Sequence, residues 1–231
     1  LPRSKEGTDL KMTPEQLDGL KHSLPAQPGL LGRDDYMIAA VLMLLMLRDG
    51  ECHFVLEERS PDIRQGGEIS FPGGQVDLGR DADTRQTAVR ETVEELGIPE
   101  ERLTVVGALG TLVNAAGMVV DAYVGFGMFQ SLDELQINDR EVKSVFTIPV
   151  SKFESFSPEE FHCQVLVQPT CIDERTGQER MLLPAGKLGL PERYARPWGG
   201  ARHRVLIYRI DGYVVWGTTA RLIYELIRRM K

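Results

Sequence analysis

Cysteine is scarce: the chain has three in 231 residues, Cys52, Cys163 and Cys171, with no Cys-x-x-Cys pair and an odd one left over. This argues against a disulfide framework or a cysteine-based zinc site and fits reduced thiols in a cytoplasmic protein. Positive charge is also short. With 27 Lys and Arg against 34 Asp and Glu, the formal net charge is −7, so the chain lacks the basic character of a general nucleic-acid binder. Its small basic groups, around Arg196 to Arg204 and at Arg228, Arg229 and Lys231, read as solvated surface. No apolar run is long enough to span a bilayer, which takes about 20 residues. The longest, "YMIAAVLMLLML" from Tyr36 to Leu47, reads as a buried strand. The chain opens on "LPRSKEG" without a Met or a signal-peptide pattern. There is no repeat, no low-complexity tract and no Gly-x-Gly-x-x-Gly between a strand and a helix. His53, His162 and His203 have no metal-ligand spacing, and Ser60 has no evident His and Asp partners for a nucleophilic triad.

What is present, 42% hydrophobic and 26% charged residues, suits one large globular domain, or one domain with elaborations. Residues 1–35 read as an N-terminal helix and linker. Thr13, Pro14 and Gln16 make a capping box with Pro at the first helical position, and the Pro- and Gly-rich "LPAQPGLLGRDD" follows. Residues 36–231 read as the main domain. Strands are expected at 37–47 and 53–59 about an "RDGE" turn, then in "RLTVVGALGTLV", "MVVDAYVGFGMF" and "SVFTIPV". "SPEEFH" reads as a helix start. "HCQVLVQPTCIDERTGQERMLLPA" reads as a hairpin about "ERTG", and "RHRVLIYRIDGYVVWG" as another about "DG". "TTARLIYELIRRMK" closes the chain as an amphipathic helix with Leu222, Ile223, Leu226 and Ile227 on its inner stripe. The sum is a mixed α/β (α+β) domain with a largely β interior and helices outside.

The chemistry concentrates in "FPGGQVDLGRDADTRQTAVRETVEELGI", Phe71 to Ile98. Asp83 is placed to cap a helix from Thr84 to Leu96, with Gly97 at its left-handed end and Pro99 beyond. Glu91 and Glu95 then lie one turn apart, with Glu94 three residues from Glu91. Carboxylates so close repel unless something positive sits between them. An "EE" pair alone is a solvated helix face. Beside the bare backbone of Gly73 and Gly74, three carboxylates suit a divalent ion carrying a diphosphate, and metal-assisted hydrolysis is the reaction that follows.

Gly-Gly followed by "RETVEELGI" resembles the Nudix box: Gly, five residues, Glu, seven residues, then Arg-Glu-U-x-Glu-Glu-x-Gly-U, U being aliphatic. Arg90, Glu91, Glu94, Glu95, Gly97 and Ile98 match. Thr92 stands at an aliphatic position, Arg80 at the position of the first Glu, and the loop is longer than the pattern. Upstream, Arg59, Ser60, Arg64, Gly67, Phe71, Pro72, Gly73 and Gly74 follow the order of the extra signature of the coenzyme A pyrophosphatase branch. Glu57 replaces its Thr, Val55 its first Leu, and one residue is missing between Arg64 and Gly67.

The resemblance implies a Nudix fold, a mixed sheet sandwiched between α-helices. It also implies Mg2+ or Mn2+ held by Glu91, Glu94, Glu95 and the Gly74 carbonyl, with Arg90 orienting a glutamate. The catalytic base is Glu91 or Glu141, and Arg59, Arg64, Gly73 and Gly74 meet substrate. The implied activity is cleavage of coenzyme A or acyl-CoA to 3′,5′-ADP and 4′-phosphopantetheine or its acyl form. Two alternatives stay open: hydrolysis of another nucleoside diphosphate derivative such as ADP-ribose or a dinucleoside polyphosphate, and a non-catalytic nucleotide-binding domain. The implied partner is a small nucleotide in the cytoplasm, with no nucleic acid or membrane, and a homodimer stays open.

Overall fold

The structure is a computed structural model that describes residues 12–231. The opening "LPRSKEG", in which no signal-peptide pattern was found, lies outside the described residues. The chain divides into two compact units, residues 1–35 and residues 36–231. The first holds helix α1 (Pro14–Ser23), whose capping box forms as expected: Gln16 N–H donates to Thr13 Oγ1 at 3.2 Å and Thr13 N–H to Gln16 Oε1 at 2.9 Å.

The second unit runs β1 (Met37–Arg48), β2 (Glu51–Arg59), β3 (Ile69–Ser70), β4 (Gly73–Gln75), α2 (Thr84–Leu96), β5 (Leu103–Val113), β6 (Met118–Gly127), β7 (Val142–Pro149) and α3 (Val150–Ser155). It continues through β8 (Glu159–Val167), β9 (Thr170–Ile172), β10 (Glu179–Met181), β11 (Trp198–Ile210), β12 (Tyr213–Trp216) and α4 (Gly217–Met230). Seven strands form one mixed sheet in the order β3-β2-β1-β6-β5, with β4 added to β1 and β7 to β2. Among the described residues, only β1 and β6 pair in parallel.

The apolar run of β1 is explained by burial on both faces. Ala40, Leu42, Leu44 and Met46 join Ala88 and Leu96 of α2 in one core, while Met43 joins Phe54, Phe71, Phe153 and Tyr208 in another that includes Leu222, Ile223 and Ile227 of α4. Period-two alternation thus sends successive β1 side chains to two layers. A second, three-stranded sheet, β12-β11-β8, packs with α4 on the side of the second core. Two tight hairpins carry the Asp-Gly pairs read from sequence. Asp49 and Gly50, and Asp211 and Gly212, all have φ between 54° and 85°, as a type I′ turn needs.

Two readings are corrected. Ser157 and Pro158 do not start a helix: the helix is α3, just before them, and Glu159 begins β8. Nor does β8 return on itself about "ERTG". That turn joins only the short β9 and β10, while β8 pairs with β11, Phe161 opposite Val205. The pairing that decides β8 lies about forty residues downstream, beyond the reach of local turn signals.

Candidate active site

Helix α2 forms where its caps place it. The Asp83 side chain accepts from Gln86 N–H at 2.8 Å, and Gly97 ends the helix at φ 60°, ψ 30°. Thr92, the polar residue at an aliphatic box position, is fully buried because its hydroxyl donates to the Ala88 carbonyl at 2.7 Å. The buried polar group is therefore satisfied within the helix.

The acidic side chains of α2 part company. Glu95 is buried and accepts from Gly73 N–H at 2.9 Å, which ties α2 to β4. Glu91 is half-buried against Gly74, where any Cβ would collide with its carboxylate. Gly73 has no room either, because a Cβ there would run into the β1 backbone at Ala40 and Val41. Both glycines serve close approach within the protein at this point, β4 to β1 and β4 to α2. Glu94 is exposed and engaged elsewhere, with Arg80 Nη2 at 2.7 Å and Arg90 Nη1 at 3.0 Å.

The third member of the cluster is Glu141. Glu91, Glu95 and Glu141 bring one carboxylate oxygen each within 4.8 Å of one another. The loop before β7 is fastened to the end of α2, with Gln136 N–H donating to Leu96 O at 3.0 Å and Asn138 N–H to Glu95 O at 2.9 Å. Ser60 N–H, from the upstream signature, donates to the Glu141 carbonyl at 2.9 Å.

Two acidic residues complete the surroundings. Glu57, fully buried, accepts from Ser70 Oγ at 3.0 Å, while its Oε2 has no hydrogen-bond partner. Arg59 Nη1 stands between two acids, 3.6 Å from Glu57 Oε1 and 3.9 Å from Glu95 Oε1. Burial raises the pKa of Glu57, of Glu91 and of Glu95, with the charge of Glu57 as the next cause at Glu95. Asp81 is the second. It takes Arg90 in a two-pronged pair at 2.8 and 2.9 Å, accepts from Thr87 Oγ1 at 2.8 Å, and is held well below the usual carboxylate range, mainly by Arg90. Arg90 Nη1 also meets Glu91 Oε1 at 2.8 Å, so it connects the loop acid to the cluster. The loop lacks a Glu at the box position, and Asp81, one residue beyond Arg80, pairs with the box arginine instead. Sequence reading missed Asp81; its only signal was an acid next to the expected place.

An all-oxygen set of three converging carboxylates, two of which, Glu91 and Glu95, have pKa values raised by burial, beside one orphaned buried oxygen, fits a hard divalent cation. Next to it opens a cleft of about 940 Å³, lined by Gly73, Gly74, Arg59 and Arg64 at one part and by residues of β5, β6, β8, β11 and α4 elsewhere.

The family model described as the NUDIX domain matches residues 37–167, more than half of the chain. The chain belongs to the Nudix family. It is accordingly a Nudix hydrolase, an enzyme acting on nucleoside diphosphate derivatives, and Nudix hydrolases generally use divalent metal ions. The uncharacterized Nudix hydrolase NudL of Photorhabdus laumondii is 28% identical over 209 residues, 90% of this chain and 92% of that protein. Nudix hydrolase 3 of Caenorhabditis elegans is 37% identical over 136 residues, 56% of each chain, so this chain spans about half the length of that relative. Among solved structures, a C. elegans Ap4A hydrolase binary complex is 25% identical with a TM-score of 0.42, covering 52% of this chain and 84% of that one. The Nudix match contains the whole carboxylate cluster, whereas β11, β12 and α4 lie beyond its last residue. Among the described residues no helix is long and apolar enough to cross a membrane, and the three cysteines are free and exposed.

Proposed function

We propose that the chain hydrolyses the diphosphate of coenzyme A or an acyl-CoA to 3′,5′-ADP and 4′-phosphopantetheine or its acyl form. The observation that carries this reading is the position of the signature arginines. Arg59 lies 3.9 Å from Glu95, and both Arg59 and Arg64 line the cleft that Gly73 and Gly74 share. A cleft of about 940 Å³ is at the upper end of ordinary ligand pockets and suits a long, jointed substrate.

In this reading Glu91, Glu95 and Glu141 hold Mg2+ or Mn2+ with the Gly74 carbonyl, and Glu94 adds a ligand when Arg80 and Arg90 release it. When bound, the cation screens the phosphate charge, polarises the phosphorus and lowers the pKa of a coordinated water. Arg90 orients Glu91 while Asp81 fixes Arg90. Glu141, on its fastened loop, takes the proton of the attacking water, with Glu91 the other candidate. Arg59 and Arg64 meet the diphosphate oxygens. Cytoplasmic residence and a homodimer belong to the same proposal, as does the division of labour between residues 1–35 and 36–231.

The test is incubation with coenzyme A and Mg2+ at mildly alkaline pH, following 3′,5′-ADP by chromatography. Glu95→Gln and a panel of ADP-ribose and dinucleoside polyphosphates run alongside. Release of 3′,5′-ADP that disappears in the variant supports the reading. Turnover of another diphosphate without coenzyme A cleavage overturns the substrate, and locates the reason in the shortened Arg64–Gly67 spacing.

A further inference from the structure

The wall of the cleft furthest outside the family match is basic, in a protein of net charge −7. Arg202 and Arg204 of β11 and Arg221 of α4 line it, in addition to Arg59 and Arg64, and among the described residues the only acidic one lining it is Glu68. Arg202 and Arg204 are two apart on β11 and therefore share a face of that strand. That face continues into the buried Leu206, Tyr208 and Ile210, so it is the inner face of the second sheet.

The arginines differ in how far they are neutralised. Arg204 is held by Glu160 Oε2 at 2.7 Å and lies over the Tyr224 ring at 4.9 Å; Arg221 is held by Glu225 Oε1 at 2.8 Å. The Arg202 side chain has no ion pair or hydrogen bond among the described residues, its backbone being paired with Gln164 of β8. Arg204 and Arg221 are thus largely neutralised, though each keeps a buried Nε without a hydrogen-bond partner, and Arg202 is the one with its full donor fork uncommitted. A planar fork in a cleft suits a phosphate dianion.

We infer that Arg202, backed by Arg204 and Arg221, binds a phosphomonoester of the substrate that is separate from the diphosphate being cleaved. The inference rests on the proposed function and deepens it by giving the second sheet and α4 the task of substrate selection. Charge decides the direction. A protein of net charge −7 disfavours each added phosphate at long range, so a preference for the more highly phosphorylated ligand requires a local cationic wall.

The test uses the full chain and two ligands that differ only by the extra phosphate. Adenosine 3′,5′-bisphosphate and AMP are titrated by calorimetry into the wild type, Arg202→Ala and Arg202→Glu. The wild type binds the bisphosphate at least about tenfold more tightly than AMP, as a charge-assisted contact implies; Arg202→Ala brings the two together, and Arg202→Glu reverses the order. AMP affinity and melting temperature stay near wild type, since Arg202 is exposed and unpaired. Equal affinities in the wild type, or a preference that survives both substitutions, overturn the inference. The binding assay needs no turnover. If coenzyme A is not cleaved but the bisphosphate preference stands and depends on Arg202, the phosphate site holds and the substrate reading fails alone.

Discussion

Among single residues, the most informative contrast is between Glu94 and Glu141. The box pattern treats Glu94 as an equal of its neighbours, but Arg80 and Arg90 already occupy it, and Glu141 takes its place beside Glu91 and Glu95. Glu94→Gln is expected to keep metal-dependent activity within about tenfold of wild type, whereas Glu141→Gln loses on the order of a hundredfold or more. Steady-state rates across an Mg2+ titration check this, and equal losses would place Glu94 in the inner set. Glu91 and Glu95 were legible because helical spacing alone puts them one turn apart. Glu141 was legible only as a candidate, since its place depends on hydrogen bonds from a loop to the end of α2. Asp81 and the depth of Glu57 were not legible: one depends on the path of an irregular loop, the other on how completely a sheet is covered.

At the level of elements, the local signals that worked were those with a stereochemical cause. The Thr13 and Asp83 caps, the left-handed Gly97 and the two Asp-Gly turns formed where sequence placed them. β8 failed because a Ser-Pro start signal is also compatible with a strand entrance, and because most of its side chains are exposed, leaving no strong apolar pattern to contradict it. The contact of β4 with α2 gives a prediction at the same scale. A methyl group at Gly74 overlaps the Glu91 carboxylate, so Gly74→Ala is expected to displace Glu91 and reduce the rate about tenfold or more. The melting temperature should change little, because the Glu91 end is half-exposed and can move. Unchanged rate with a large loss of stability would show instead that β4 had been pushed off β1.

For the whole molecule, the buried acids tie folding to pH and to metal. Glu57 and Glu95 have pKa values raised above the ordinary 4.5 by burial. The folded chain therefore keeps protons that the unfolded chain has released, and stability falls as pH rises above about 4.5. A divalent cation can replace those protons, so its stabilising effect grows over the same range. In a chelator, the melting temperature should drop by roughly 5 °C or more between pH 5 and pH 8. Mg2+ should recover most of it at pH 8 and little at pH 5, and Glu57→Gln should flatten the slope. A metal effect equal at both pH values would overturn this account. Another consequence concerns synthesis. β1, the most apolar stretch of the chain, pairs in parallel with β6, Ala39 opposite Val120, about eighty residues later. At about 5–20 residues per second on the ribosome, that central strand waits several seconds for its neighbour. The nascent chain is thus most in need of a chaperone after β2 and β4 have paired with β1 and before β6 covers its other edge.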